Sequence, residues 1–357
     1  MKTFRPFNLL IFSLFLFIGC AKGGLMPPGP PMIPQETLDY KTYFSSNRDG
    51  TPELYRMDPD GSNVIRLTFN EGNEYFAVVT QDGSHVVYVL DAAQERQIYT
   101  MDAAGAGQRQ ITHEGKTNEF PRWSPDGRRI VFISDRDGNR EVYVMNADGS
   151  SQRRLTFTEW EESDAKWSPD GRKIAYVPTV DGSNEEIFIM DADGRGMVNV
   201  THSTGMDWNP FWSPTGKKIG FVSTRDGNRE IYAMNWDGTG VVNLTHNPAD
   251  DGSGQFTWSQ DERRLPFVTN RDGNREVYIT DAEGKNAKNL TNTPKGEEDD
   301  PVWLPDGRIL FMTNRDGNWE LYAMNPDGTK TVNLTQNPAD DMRSIMAYRE
   351  NLTERGN

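Results

Sequence analysis

The chain is poor in cysteine, histidine and positive charge. It has one cysteine and four histidines among 357 residues, and 53 acidic residues against 38 basic ones. A single cysteine excludes a disulfide scaffold and a cysteine-rich zinc module. The formal net charge of −15 argues against nucleic acid as a partner, because binding a duplex requires Lys and Arg to neutralise phosphates. With 35% hydrophobic and 11% aromatic residues the chain is nevertheless too apolar to be disordered.

Long apolar runs are absent except at the N-terminus. Lys2 and Arg5 precede an apolar stretch at residues 8–18, which is too short to cross a bilayer and has the layout of a signal peptide. The Gly19-Cys20 pair that follows resembles the lipobox of bacterial lipoproteins, although Phe17 stands where that pattern prefers an aliphatic residue. We therefore expect residues 1–19 to be a lipoprotein signal peptide and Cys20 to carry a membrane lipid. The alternative is an ordinary signal peptide with a stray cysteine.

Prolines and glycines dominate the segment that follows. Dense proline favours extended polyproline geometry and excludes helix, so residues 20–38 are predicted to be a lipid anchor followed by a stiff tether. The remaining residues, 39–357, are predicted to form one globular domain.

That domain repeats itself. A tryptophan recurs at steps of 44 to 46 residues, at Trp123, Trp167, Trp212, Trp258 and Trp303. Each unit contains short runs rich in β-branched and aromatic residues, separated by turns such as Ser-Pro-Asp-Gly and Asp-Gly-Asn. A period of this length with four short strands is typical of a β-propeller. We therefore predict an all-β fold built of four-stranded antiparallel meanders.

The number of blades follows from the strands. The second, third and fourth strands occur seven times, whereas the tryptophan-bearing first strand occurs six times inside the array. Residues 344–348 lie at the position expected for the missing copy, so a C-terminal strand would complete the first blade and leave no open sheet edge. We predict seven blades, with six as the alternative.

The recurring Trp-Ser-Pro-Asp-Gly, Arg-Asp-Gly-Asn-x-Glu and Met-Asn-x-Asp-Gly segments resemble the WD40-like PD40 repeats of TolB-type propellers. The resemblance implies a periplasmic binding protein, and a peptidoglycan-associated lipoprotein among its partners. TolB-type proteins have six blades and an extra α/β domain. This chain departs from them in its predicted seven blades, in its own lipid anchor and in having no room for that domain.

The topology of a meander sorts the turns into two faces. The Ser-Pro-Asp-Gly turns lie on a face predicted to be structural, and the opposite face carries the Asp-Gly-Asn hairpins and the variable inter-blade loops. Those loops place acids before each innermost strand, which would give one mouth of the channel a negative potential for a basic segment. The acids are Glu74, Glu119, Asp164, Asp207, Asp250, Asp299 and Asp340. In the alternative interpretation they only accept hydrogen bonds from backbone groups or pair with a neighbouring arginine.

Three tryptophans outside the repeat pattern fall on the same face. Trp160 and Trp208 lie in inter-blade loops, and Trp319 replaces an arginine beside a hairpin. Tryptophan beside acids is a common composition for a protein or glycan contact. Local packing of the loops is the alternative.

Catalytic motifs are missing. The sequence has no Gly-x-Ser-x-Gly elbow, His-Glu-x-x-His pair or phosphate-binding loop, so we expect no catalytic residue, metal or cofactor. The predicted function is that of a monomeric, lipid-anchored binding platform in the cell envelope, in the periplasm at the outer membrane or at the cell surface, for a protein or glycan partner. The alternative is a carbohydrate-active enzyme, because the repeats also resemble those of oligogalacturonate lyases, in which channel histidines hold a metal.

Overall fold

A computed structural model describes residues 40–180 and 182–349, and the side chains of residues 343–349 are outside that description. The described residues belong to one compact unit, Met32–Asn357. The predicted signal peptide, Cys20 and the tether at residues 20–38 lie outside the described residues. None of the described residues lies in a helix that could cross a membrane.

The described residues form 28 strands, and these are arranged in seven separate antiparallel sheets. In chain order the strands are β1 (Tyr40–Ser46), β2 (Glu53–Met57), β3 (Ile65–Arg66), β4 (Asn73–Val79), β5 (His85–Ala92), β6 (Glu95–Asp102), β7 (Arg109–Gln110), β8 (Asn118–Trp123), β9 (Arg129–Ser134), β10 (Glu141–Asn146), β11 (Arg153–Arg154), β12 (Glu162–Trp167), β13 (Lys173–Val180), β14 (Asn184–Glu185), β15 (Phe188–Asp191), β16 (Val198–Asn199), β17 (Asp207–Trp212), β18 (Lys218–Ser223), β19 (Glu230–Asn235), β20 (Val242–Asn243), β21 (Arg264–Thr269), β22 (Glu276–Asp281), β23 (Lys288–Asn289), β24 (Glu298–Trp303), β25 (Ile309–Thr313), β26 (Glu320–Met324), β27 (Val332–Asn333) and β28 (Asp341–Arg349).

The sheets are the blades of a seven-bladed propeller, as predicted. Blade 1 is ordered β28-β1-β2-β3, and blades 2 to 7 begin at β4, β8, β12, β17, β21 and β24. The C-terminal strand β28 pairs with β1 from Tyr40↔Arg349 to Ser46↔Asp341. The prediction that the end of the chain completes the first blade is therefore confirmed, and both edges that an open ring would expose are paired.

Two blades depart from the regular meander. Blade 6 has three strands, because its first strand is reduced to a single bridge between Asp251 and Thr269. Gly252 and Gly254 follow that bridge with φ of 83° and 76°, a backbone conformation that does not continue a strand. In blade 4 the third strand is split into β14 and β15.

The hydrophobic core lies between neighbouring blades. One cluster, for example, joins Val87 and Ile98 of blade 2 to Ile130 and Phe132 of blade 3. Three of the five repeated tryptophans stabilise the same contacts, because their indole nitrogens donate to the preceding blade's first strand, whereas Trp258 Nε1 and Trp303 Nε1 are buried without a hydrogen-bond partner. The bonds are Trp123 to Val78 O (3.0 Å), Trp167 to Arg122 O (3.2 Å) and Trp212 to Lys166 O (3.2 Å). Each of these bonds therefore joins a blade to the preceding one at the same position of the repeat.

Candidate binding site at the inter-blade face

A ring of polar side chains begins the first strand of every blade. Its members are 0% exposed and lie in the first register pair of that strand, except that Glu74 lies in the second pair and Asp251 in the single bridge of blade 6. They are Glu74, Asn118, Glu162, Asp207, Asp251, Glu298 and Asp341. We call this set the first-strand ring. Six of its seven members carry a carboxyl group.

A second ring begins or closely follows the start of the third strand of each blade. Its members are also buried, and they are Glu53, Gln97, Glu141, Glu186, Glu230, Glu276 and Glu320. We call this set the third-strand ring. The two rings meet between blades. Asn118 of blade 3 donates from Nδ2 to Gln97 Oε1 of blade 2 at 3.0 Å.

Arginines stabilise five members of the first-strand ring. Each arginine lies two residues after a Ser or Thr that ends the second strand, and its guanidinium stacks on a Phe and a Tyr of its own blade. The pairs are Arg48–Asp341, Arg136–Asn118, Arg225–Asp207, Arg271–Asp251 and Arg315–Glu298, at 2.8 to 3.1 Å. Burial still raises the pKa of Asp251 to about 6 and that of Glu298 to about 7 against these arginines.

The acids predicted to line the mouth occupy four different sequence positions relative to the first-strand ring. Glu74 and Asp207 belong to the buried ring, whereas Glu119 and Asp299 are one residue further on and Asp164 two. The ladder shifts register just after these positions, and Asp164 has a φ of 50°, so the residues that follow the ring do not keep the regular alternation of a flat strand.

Most of these acids have partners within the chain. Glu119 is 2% exposed and accepts from Arg96 (2.8 Å) and Arg140 (3.0 Å). Asp299 pairs with Arg275 at 2.8 Å, and Asp164 with Lys166 at 3.0 Å. These contacts agree with the alternative interpretation, in which the acids pair with neighbouring basic side chains. A role of these acids in partner binding stays a prediction.

Two predicted acids lie further from the ring. Asp250 is exposed and Asp340 is half-buried; each carboxylate caps a hairpin by accepting a backbone N–H, from Arg229 (3.1 Å) and from Trp319 (3.0 Å) respectively. The accessible negative charge of this face therefore comes from residues such as Asp250 and Asp340 rather than from the buried ring.

The three additional tryptophans are half-buried. Trp160 packs edge-on against Phe188, with ring centroids 6.0 Å apart. Trp208 packs against the clusters on both sides of blade 5, and Trp319 packs into the core of blades 7 and 1 beneath Arg275. Trp208 is the second residue of β17, so its predicted place in an inter-blade loop is wrong. Each of the three tryptophans combines local packing with some accessible surface.

Sequence reasoning missed the most exposed aromatic residues of this face. Phe69 and Phe157 are 71% and 72% exposed in the loops that leave the outer strands β3 and β11. Each ring lies on a guanidinium, that of Arg66 (4.5 Å) and that of Arg154 (4.8 Å). The available signal was the pair of Arg-Leu-Thr-Phe segments, because the other five repeats have His, Asn or Gln in place of Phe.

The opposite face also holds a feature that the sequence did not predict. A cavity of about 450 Å³ lies where the first strands of blades 2 to 6 end, beside the Ser-Pro-Asp-Gly turns. Arg122, Lys166 and three of the repeated tryptophans line it. Lys166 is held by Asp164 and by Asn209 Oδ1 at 2.9 Å, and burial lowers its pKa. The ammonium group of Lys166 is thus bound by the chain itself.

The histidines lie on the surface. His85, His113, His202 and His246 are all exposed, and the last three follow outer strands. Within the described residues no group of three His, Cys, Asp or Glu side chains could hold a metal ion.

Solved structures with similar folds have different activities. TolB from Acinetobacter baumannii superposes with a TM-score of 0.54 at 19% identity, over 83% of this chain and 77% of that one. An oligogalacturonate lyase from Vibrio parahaemolyticus gives 0.65 at 16%, over 79% and 85%. A puromycin-hydrolyzing peptidase from Mycobacterium tuberculosis gives 0.67 at 14%, and the chain covers 51% of that protein. At such identities the likeness extends to the fold alone.

Sequence comparison identifies the family. No curated protein matches the chain in sequence. The family described as TolB beta propeller domain, PD40, matches residues 79–185 and 165–257, which together span half of the chain. Both matches lie within the repeats that form blades 2 to 6. The chain therefore belongs to the TolB beta propeller domain family.

Proposed function

We propose that the protein is a non-catalytic binding platform of the cell envelope, held to a membrane by a lipid on Cys20. Its inter-blade face binds a protein, such as a peptidoglycan-associated lipoprotein, or a glycan. The observation that carries this proposal is the exposure of Phe69 and Phe157 on arginines that are themselves bound by buried acids.

The exposed phenylalanines suit a contact surface for a physical reason. A large apolar side chain in water gains free energy when a partner covers it, and aromatic and Arg side chains dominate contact energies. Here the aromatic ring is already oriented by its arginine, so that binding has little side-chain entropy to overcome. Asp250 and Asp340 add negative charge near the same loops, which favours a partner with basic groups.

The proposal is tested by affinity capture from an envelope extract, with the full chain as bait. Replacing Phe69 and Phe157 by Ser is expected to lower the capture of a specific partner about tenfold or more, the loss typical of a central aromatic contact. Trp236→Ser is the matched control, because Trp236 is 41% exposed but lies in a turn of the opposite face. Equal loss in the control, or no loss in the Phe variant, contradicts the proposed surface.

The same assay separates the charge from the aromatic contact. Asp250→Lys with Asp340→Lys tests accessible acids without burying a charge, whereas Lys at the fully buried Asp207 would disrupt the fold. Replacing the extract with purified peptidoglycan distinguishes a glycan partner from a protein.

The enzyme alternative has its own test. Oligogalacturonate lyase is known in complex with manganese, whereas the four histidines of this chain are exposed. An assay for unsaturated products from pectic oligomers, with and without added divalent metal, would establish lyase activity and overturn the non-catalytic proposal.

A further inference from the structure

We propose that the propeller contains two buried proton-binding sites, one between Glu53 and Glu74 at the contact of blades 1 and 2 and one between Glu141 and Glu162 at the contact of blades 3 and 4. Each pair of carboxyl groups holds a single proton between its oxygens. This inference does not depend on the proposed function.

The two sites coincide with the two blades that lack the arginine. Five second strands carry the pattern Phe-x-Ser/Thr-x-Arg, whose arginine reaches the first-strand ring. Blade 2 has Tyr88, Leu90 and Ala92 at these positions, and blade 4 has Tyr176, Pro178 and Val180. Glu74 and Glu162 are therefore the ring carboxyls with no guanidinium of their own blade.

At the first site both carboxyl groups are 0% exposed. Glu53 Oε1 accepts from Arg66 at 2.5 Å, and Glu74 Oε1 accepts from Asn70 Nδ2 at 2.6 Å. The second oxygen of each group, Glu53 Oε2 and Glu74 Oε2, is buried without a hydrogen-bond partner. The remaining titratable groups that act here are Asp49, 3.3 Å from Arg66, Tyr55, which donates to Asp49, and Tyr88, whose pKa burial raises.

The second site repeats this arrangement. Glu141 Oε1 accepts from Arg154, and Glu162 Oε1 accepts from Thr158 Oγ1 at 2.6 Å. Glu141 Oε2 and Glu162 Oε2 are again buried and unpaired. Asp137 lies 3.5 Å from Arg154, Tyr143 donates to Asp137, and burial raises the pKa of Tyr176, as it does that of Tyr88.

A shared proton resolves both unpaired oxygens. Two adjacent buried carboxylates repel each other, and an unpaired buried acceptor costs about 1–3 kcal/mol. One proton converts an acceptor into a donor, which removes one charge and forms the missing hydrogen bond. The chain itself shows the neutral equivalent, because at the contact of blades 2 and 3 the same two positions are Gln97 and Asn118, joined by a hydrogen bond.

Electrostatics agrees with this geometry. Burial raises the pKa of Glu74 to about 8, and the neighbouring Glu53 is a second, smaller cause of this increase. Burial and Glu141 likewise raise the pKa of Glu162 to about 8. One carboxyl of each pair therefore stays protonated at neutral pH.

The sites also connect to the proposed contact surface, a consequence that does rest on the proposed function. Arg66 binds Glu53 and supports Phe69, and Arg154 binds Glu141 and supports Phe157. Loss of the shared proton adds a negative charge beside each arginine and draws the guanidinium inward, away from the exposed ring. Partner affinity should then fall as the pH rises from 7 to 9.

Thermal unfolding of the full chain between pH 5 and 9 tests the proton sites. A carboxyl group whose pKa is raised by folding contributes its full stabilisation when the pH is below its ordinary pKa near 4.5. This stabilisation is lost as the pH rises towards 8. The wild-type melting temperature should therefore fall over this range. Glu74→Gln combined with Glu162→Gln should remove most of the fall between pH 5 and 8 and give a higher melting temperature than wild type at pH 9.

Two measurements keep the test decisive. The infrared carbonyl band of a protonated carboxylic acid should be present in the wild type at pH 7 and weaker in the Gln variant. The exposed Glu283→Gln is the control and should change neither measurement. A wild type without this band at pH 7, or parallel melting profiles for wild type and Gln variant, would overturn the proposal. If the double variant fails to fold, the single variants Glu74→Gln and Glu162→Gln decide by the same comparison, because Glu298, whose pKa burial raises to about 7, also contributes to the wild-type band.

The coupling to partner binding is measured separately, with the partner captured in the affinity assay. Affinity that falls with pH in the wild type but not in the Gln variant supports the coupling. Equal pH dependence in both overturns the coupling and leaves the proton sites intact, whereas loss of all binding in the Phe69 and Phe157 variant concerns the proposed function alone.

Discussion

At some paired positions of this propeller the size of a side chain depends on its partner in the neighbouring strand rather than on the repeat pattern. Phe211 of β17 faces Gly220 of β18, and a Cβ added to Gly220 would lie 1.9 Å from Phe211 Cζ. In blade 2 the two corresponding positions hold Val78 and Val87. A large side chain on one strand is thus matched by the absence of a side chain on the next.

This match predicts a specific effect of substitution. Gly220→Ala should destabilise the protein by about 1–3 kcal/mol, because the aromatic ring has to leave its rotamer. Adding Phe211→Val should recover much of that loss, and the coupling would appear in a double-mutant cycle measured by urea unfolding. Additive effects of the two substitutions would show that the steric contact does not control stability.

Among the strands, β28 has the largest structural role because it is the only strand of the described part of the chain that pairs the end of the chain with its beginning in one sheet. It pairs with β1, whose side chains Tyr40 and Phe44 belong to the core shared with blade 7. Without β28 the strand β1 would have a free edge, and the contact of blade 1 with its neighbours would lose its innermost layer.

Removal of residues 341–357 should therefore abolish the single cooperative unfolding transition and cause self-association through the exposed edge. Circular dichroism on heating, together with light scattering, would measure both effects. A synthetic peptide of residues 338–352 added to the shortened chain should restore the transition. A shortened chain that unfolds as sharply as the full protein would contradict this role of β28.

At the scale of the whole molecule, the ring divides polar chemistry between its two ends. The inter-blade end holds two rings of buried polar side chains, and the end with Ser-Pro-Asp-Gly turns holds the cavity lined by tryptophans, Arg122 and Lys166. The predicted attachment to a membrane is at Cys20, the chain's single cysteine, which is not among the described residues.

Cys20→Ser provides a direct test of that attachment. In cells labelled with a radioactive or clickable fatty acid, the wild-type protein should be labelled and remain with membranes. The variant should lose the label and move to the soluble fraction, because no other cysteine is available for acylation. A labelled variant, or an unlabelled wild type, would show that the lipobox resemblance does not extend to function.

The sequence by itself determined the strand pattern, the seven blades and the closure by the C-terminal strand. These features depend on local signals, namely turn residues and apolar periodicity, which recur in every unit. The tertiary structure alone decided which polar residues are buried. Glu53 and Glu74 belong to different blades, and only the folded chain brings them together. Acids one position apart in sequence, such as Asp250 and Asp251, are exposed and buried respectively, because successive residues of an extended segment point to opposite sides.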